Sequence, residues 1–118
     1  MANYRNEGRV AILTLTVMAA ADVLQRRAVT KDGSYPAAGS HMYGTTFVDG
    51  KSGCELAVDC LGQVPMTAGA AIPEDSLVEV GTDGKFIPLN TGKPVARAIT
   101  AASGDDATFQ GFILPATS

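Results

Sequence analysis

The sequence predicts an all-β fold, a small β-sandwich or barrel with an extended N-terminal arm, and three observations predict it. Gly (13 residues) and Pro (6) punctuate a chain rich in Ala, Thr and Val that has no Trp, a composition suited to short strands and tight turns. No stretch sustains the 3.6-residue apolar period of an amphipathic helix. Short segments instead alternate apolar and polar residues at period two and are bounded by Asp-Gly and Ser-Gly turn signals. At 118 residues the chain has the length of one domain, divided here into an arm of residues 1–8 and a single β domain of residues 9–118.

The arm, with Asn3, Tyr4, Arg5 and Asn6, is polar and aperiodic, so it presents no core face and is expected to order against a partner. A strand follows over residues 9–17, with Leu13, Leu15 and Val17 on one face and Ile12, Thr14 and Thr16 on the other. Arg5 and Arg9 before this apolar run, and Ala19, Ala20 and Ala21 after it, trace the outline of a secretory leader. The threonines at period two favour the strand.

The clearest alternation is Cys54-Glu55-Leu56-Ala57-Val58-Asp59-Cys60, with the cysteines, Leu56 and Val58 inward and the carboxylates toward water. At ~3.3 Å per residue the two cysteines would lie roughly 20 Å apart, beyond disulfide reach. Their shared parity predicts two reduced, buried thiols. Leu77-Val78-Glu79-Val80 and Lys85-Phe86-Ile87-Pro88 flank Gly81-Thr82-Asp83-Gly84, which reads as a hairpin with Gly84 at positive φ. Residues 94–100 and 107–114 form a further extended pair through Ser103-Gly104-Asp105-Asp106. Gly33, Gly53, Asp83, Gly84 and Gly104 are the structural turn residues this reading selects.

Laid on itself at an offset of 51, the chain aligns residues 18–62 with residues 69–113. Asp32-Gly33 falls on Asp83-Gly84, Ser52-Gly53 on Ser103-Gly104, Val29 on Val80 and Ala19-Ala20 on Ala70-Ala71. The alignment implies two related β-units packed into one barrel or sandwich.

Chemistry is hard to find. The one histidine, His41, sits in a Gly- and Ser-rich loop, and no Gly-x-Ser-x-Gly elbow occurs, so nucleophilic catalysis lacks its usual base and nucleophile. Two cysteines six apart without a second cluster do not make a zinc site. Asp105-Asp106 and Glu74-Asp75 are adjacent pairs that point opposite ways on an extended chain, unlike a glycosidase pair or a calcium loop. The glycines are spaced as turn positions and fit no phosphate-binding fingerprint. The expectation is a protein without catalytic residues, metal or cofactor. Nine Lys and Arg are scattered singly apart from Arg26 and Arg27, at net charge −3, which leaves no basic stripe for nucleic acid. No apolar run reaches the ~18 residues of a membrane-spanning helix, and no membrane partner is expected.

The run Thr67-Ala68-Gly69-Ala70-Ala71-Ile72 leads through Leu77-Val78-Glu79-Val80, Asp83-Gly84-Lys85 and Pro94-Val95-Ala96-Arg97-Ala98-Ile99 into Ala101-Ala102-Ser103-Gly104-Asp105. This succession, over residues 67–114, resembles the small head proteins of tailed bacteriophages classed as capsid cement or decoration proteins. The opening Asn3-Tyr4-Arg5-Asn6-Glu7-Gly8 ahead of a Thr-rich strand is similar as well. Glu74-Asp75 stands where that family usually has Gly-Asp, and Arg97 where a glycine is common. The resemblance implies a structural virion protein, made in the host cytoplasm, that binds the outside of the assembled capsid at capsomer junctions and stabilises it. Its partner would be the major capsid protein, gripped by an arm containing Asn3, Tyr4, Arg5, Asn6 and Arg9, and self-association would give a trimer rather than a dimer. The competing class is a β-sandwich module that binds carbohydrate or a receptor. The absence of Trp and a total of three Tyr and four Phe leave little for the aromatic platforms such sites use.

Overall fold

The computed structural model describes residues 10–114. The arm of residues 1–8, with Asn3, Tyr4, Arg5 and Asn6, and the adjoining Arg9 lie outside the described residues. The fold is all-β: β1 (Val10–Met18), β2 (Ala28–Val29), β3 (Gly44–Thr46), β4 (Glu55–Thr67), β5 (Leu77–Val80), β6 (Phe86–Pro88), β7 (Ala96–Ala98) and β8 (Thr108–Ile113), with one 3-10 turn at Thr82–Gly84. The strands form a single antiparallel sheet in the order β2-β3-β4-β8-β7-β5-β6, with β1 added on β4. Asp59 faces both Thr14 and Thr45, and Gln63 faces both Val10 and Phe112. Hence β1 runs along one edge of β4, while β3 and β8 share the other.

The sheet curls until it nearly closes. Ala68, just past β4, bridges Phe86 at the start of β6, and the Gly69 amide donates to the Phe86 carbonyl at 2.7 Å. The resulting barrel encloses the main core, in which period-two residues of β4 (Val64, Met66) and β5 (Val78, Val80) meet Phe86 and Phe109. The two phenylalanine rings pack edge to face, 6.2 Å apart at 85°, the orientation that sets the positive ring edge on the negative face. Met66 fills the space above Gly111, where any Cβ would overlap its sulfur. A smaller core of Ala19, Val23, Val29, Leu56 and Val58 lies under the first half of the chain.

One register recurs. β1 and β4 pair Thr14 with Asp59, Leu15 with Val58 and Thr16 with Ala57. Residues 51 further along, Pro65 with Gln110, Met66 with Phe109 and Thr67 with Thr108, are partners in the pairing of β4 with β8. β4 therefore belongs to both strand pairs, and this is why it is 13 residues long.

Three expectations need correction. The alternating segment does not end at Cys60: Gly62, at φ +121, lets the strand pass close beside Ala11 and continue to Thr67. Cys54 is exposed because the strand starts at Glu55 and Cys54 closes the preceding turn, donating its amide to the Lys51 carbonyl; Cys60 is half-buried. Asp59 is buried, not wet, because β1 and β3 flank it on both sides. Beyond these, β1 contributes little core: Leu13 and Leu15 are 40% and 36% exposed, since β1 lies at the sheet margin.

Candidate interaction surface

β1 offers the largest stretch of uncovered apolar surface on one element. Val10 and Ile12 are 67% and 71% exposed, and Met18, Leu13 and Leu15 add to them. Among the described residues only β4 pairs with this strand. At its end the Ala19 amide and carbonyl bond to the Cys54 carbonyl and Gly53 amide, whereas the Ala20 amide turns outward to the Gly33 carbonyl. Because backbone groups alternate along a strand, Met18, Thr16 and Thr14 direct theirs away from β4. Beside β1 runs a groove of about 200 Å³ lined mainly by Leu13, Met42, Tyr43, Leu61, Ile113 and Leu114, with His41 and Cys60 also on its wall. Burial, and then the negative charge of Asp59, push the Cys60 thiol above its ordinary pKa, so it sits there as a neutral group. Thr14 donates its hydroxyl to Asp59 Oδ1 at 2.9 Å, which anchors the middle of β1 to β4.

The turn residues selected from the sequence do not converge on one site. Gly33 (φ +80) packs against the backbone of Met18 and Ala19, and Gly53 (φ +84) donates its amide to Ala19 from a position open to solvent. Both thus shape the C-terminal end of β1. Asp83 (φ +58) and Gly84 (φ +73) form the turn between β5 and β6. That turn docks on the first half of the chain: Arg27 Nη1 donates to the Asp83 carbonyl at 3.0 Å, and Gly84 lies against Ala28 and Tyr35. Gly104 is not left-handed; in its turn Asp106 takes that conformation, at φ +67. Lys85 Nζ ties this turn to the β5–β6 hairpin, 2.7 Å from Asp106 and 3.1 Å from Asp105. The contact raises the Lys85 pKa, the Asp106 hydrogen bond contributing most, and lowers that of Asp106 through the same bond and the ammonium charge.

Two features escaped the sequence reading. Glu79 is buried, and its Oε1 accepts from the Asn90 and Gly92 amides at 2.6 and 3.0 Å, so the carboxylate organises the loop after β6. Exposure of β1 was the other; its only sequence signal is that residues 10–18 contain no charge on either face. Among the described residues, no three His, Cys, Asp or Glu side chains gather to hold a metal ion, and no helix is long and apolar enough to cross a membrane.

No family model and no curated protein matches the sequence. The fold matches the crystal structure of the head fiber gp8.5 N base in bacteriophage phi29, with TM-score 0.73 and 18% identity over 86% of this chain and 93% of that one. At that identity the likeness is one of fold.

Proposed function

We propose that this protein is a structural component of a phage virion that binds the outside of the assembled capsid, where capsomers meet, and stabilises it. The observation that carries the reading is the fold match to a phage head fiber base over nearly the whole of both chains, together with the cement-protein resemblance of residues 67–114. A shared hairpin would leave most of each chain unmatched. The role requires recognition and rigidity rather than catalysis, and a curled sheet with two apolar cores and side-chain ties between its turns supplies the rigid body. The major capsid protein is the partner, and the arm holding Asn3, Tyr4, Arg5, Asn6 and Arg9 is the grip. Symmetry repeats each contact over the shell, so weak single attachments become strong through avidity.

A ligand that binds only the assembled state stabilises it by mass action, by about 2.7 kcal/mol per site at a free concentration 100 times Kd. Mixing the purified protein with expanded capsids that lack it should give added density on the outer surface and raise the temperature of DNA release. Absence of bound density at saturating protein, or equal heat resistance of bare and mixed capsids, overturns the proposal. Retention on glycans or host cells with no capsid binding would instead identify a binding module.

A further inference from the structure

Arg26 and Arg27 are the only adjacent pair of cationic residues in the chain, and the segment that carries them is fixed through its backbone. The Leu24 amide donates to the Tyr35 hydroxyl and the Gln25 amide to Asp49 Oδ1, both at 2.8 Å. The Arg26 amide donates to the Thr46 carbonyl and its carbonyl accepts the Thr67 amide, both at 2.9 Å. These bonds hold Arg26 at φ +60, a left-handed conformation uncommon for any residue but glycine, asparagine and aspartate. The turn ahead of β5 is built the same way. There the Asp75 amide donates to the Ala98 carbonyl and the Ser76 carbonyl accepts the Ala98 amide, as Arg26 and Arg27 do with Thr46. Its left-handed residue is Asp75, at φ +64, a type that tolerates the conformation. The turn itself therefore has no need of an arginine, and a strained arginine placed in it points to a role for the side chain.

That side chain is uncommitted. Arg26 is half-buried, and among the described residues neither it nor Arg27 forms an ion pair. The Nε of each is buried without a hydrogen-bond partner, a condition rare enough in native proteins that each case calls for a cause. Arg27, only 9% exposed, is held in place by the Asp83 carbonyl on Nη1 and by the Tyr35 ring 6.0 Å below its guanidinium. Both arginines line one surface cleft of about 290 Å³, whose wall also includes Thr67, Thr108, Asp49 and Asp106.

We propose that this cleft binds a carboxylate side chain of an acidic protein segment, received by the Arg26 and Arg27 guanidinium groups. A guanidinium presents a planar fork of N–H donors that matches a carboxylate, and here two forks are preset by the fold. The flanking carboxylates narrow the choice of ligand. Asp49 already accepts the Gln25 amide, and Asp106 the Lys85 ammonium at 2.7 Å, so both remain charged neighbours of whatever enters. They repel a polyanion such as a nucleic-acid backbone. They favour a ligand that brings one negative charge together with N–H donors of its own, as a peptide does. The inference goes beyond the capsid reading and does not depend on it, since the cleft is complete in the isolated chain.

Nitrogen-15 NMR of the full chain tests it, because Nε–H groups shielded from water give observable signals. Titration at constant ionic strength with the acetylated, amidated tripeptide Gly-Glu-Gly should produce saturable shifts of the Arg26 and Arg27 Nε–H signals and of the Thr67 amide. The Gly-Gln-Gly analogue should produce none. Arg26→Gly suits the left-handed backbone, so it should keep the fold and weaken binding about tenfold or more. Arg26→Lys, which keeps the charge and loses the fork, should recover only part of the affinity. Shifts that do not saturate, an equal response to the glutamine peptide, or wild-type affinity in Arg26→Gly overturns the proposal. Inorganic phosphate binding more tightly than the glutamate peptide overturns it as well, and assigns the cleft to phosphate.

Discussion

Gly84→Ala should be among the most damaging small substitutions in the second half of the chain, and its cost separates into two parts. Gly84 has φ +73, where a Cβ costs roughly 1–2 kcal/mol. The added methyl would also lie 2.6 Å from Tyr35 Cδ1 and 2.7 Å from the Ala28 carbonyl oxygen. The tyrosine ring is able to yield, but the carbonyl belongs to buried β2, and overpacking of this kind costs typically 1–3 kcal/mol. The sum is about 2–5 kcal/mol, against a stability of about 5–15 kcal/mol for a domain. Two other glycines provide internal controls. Gly53 has the same backbone conformation, φ +84, but nothing within 4 Å of its Cβ position, and Gly104 is equally open without the left-handed backbone. Gly53→Ala should therefore report strain alone, about 1 kcal/mol, and Gly104→Ala should be neutral or stabilising by up to about 1 kcal/mol. Urea unfolding of the three variants gives the order directly; by heat, each kcal/mol is worth about 4–8 °C in a domain of this size. Gly84→Ala no worse than Gly53→Ala would refute the docking of the hairpin turn on β2.

Further outcomes follow from individual groups. Glu79→Ala removes the carboxylate that accepts from the Asn90 and Gly92 amides and should cost about 2 kcal/mol in urea unfolding, with Glu79→Gln losing less because one acceptor remains. The Lys85 contact should shape both ends of the pH–stability curve: the lowered Asp106 pKa contributes stability above the ordinary value of 3.8 that is lost as pH falls through the folded value. The raised Lys85 pKa contributes stability below 10.5 that is lost as pH rises through its folded value. Lys85→Ala should flatten both edges in a series of melting temperatures against pH, and an unchanged curve would show that the contact is not formed in solution. Toward a thiol reagent at pH 8, exposed Cys54 should react at once and half-buried Cys60, its thiol held neutral by burial and Asp59, at least several-fold more slowly. Equal rates would mean that the groove beside β1 is open to bulk water.

The elements that were legible carry their chemistry locally. The β5–β6 hairpin follows from Asp83-Gly84, and the pairing of β7 with β8 follows from two extended runs around a Ser-Gly-Asp-Asp turn. β2 and β3 were not legible, because strands of two and three residues display no period; they are defined by partners far along the chain, as Ala28 is by Thr45. Gly62 and Pro65 are residue types that weaken strand interiors, yet β4 runs through both, bent at Gly62 and held beyond it by β8. Within the Ser103–Asp106 turn, sequence preference favours Gly104 for the left-handed position, and Asp106 takes it instead. There the Asp106 amide reaches the Ala68 carbonyl and its carboxylate reaches Lys85, tertiary bonds that outweigh a small backbone preference. The surface at β1 was hidden for a different reason. Apolar alternation predicts that a face will be covered, and it is silent about whether the cover comes from the same chain.

That distinction organises the molecule. One strand-pair register serves twice, and the two occurrences differ in which residues stand on the inward face. In the pairing of β4 with β8 these are Val64, Met66 and Phe109, sealed by Val78, Val80 and Phe86. In the pairing of β1 with β4 the place of Phe86 is taken by Tyr35, whose half-buried ring packs against the smaller core while its hydroxyl accepts the Leu24 amide at 2.8 Å. A phenylalanine seals a barrel without a polar group to satisfy, whereas a tyrosine packs its ring inward and keeps its hydroxyl hydrogen-bonded at the rim. The two halves of β4 thereby serve different cores, its C-terminal half the main one through Val64 and Met66 and its N-terminal half the smaller one through Leu56 and Val58, with β1 along its edge. Changes at Val64 or Met66, which are buried, should lower the melting temperature by several degrees, whereas polar changes at exposed Ile12 or Thr16 should leave it nearly unchanged, and a large loss at Ile12 would refute the assignment of the main core to the β4–β8 side.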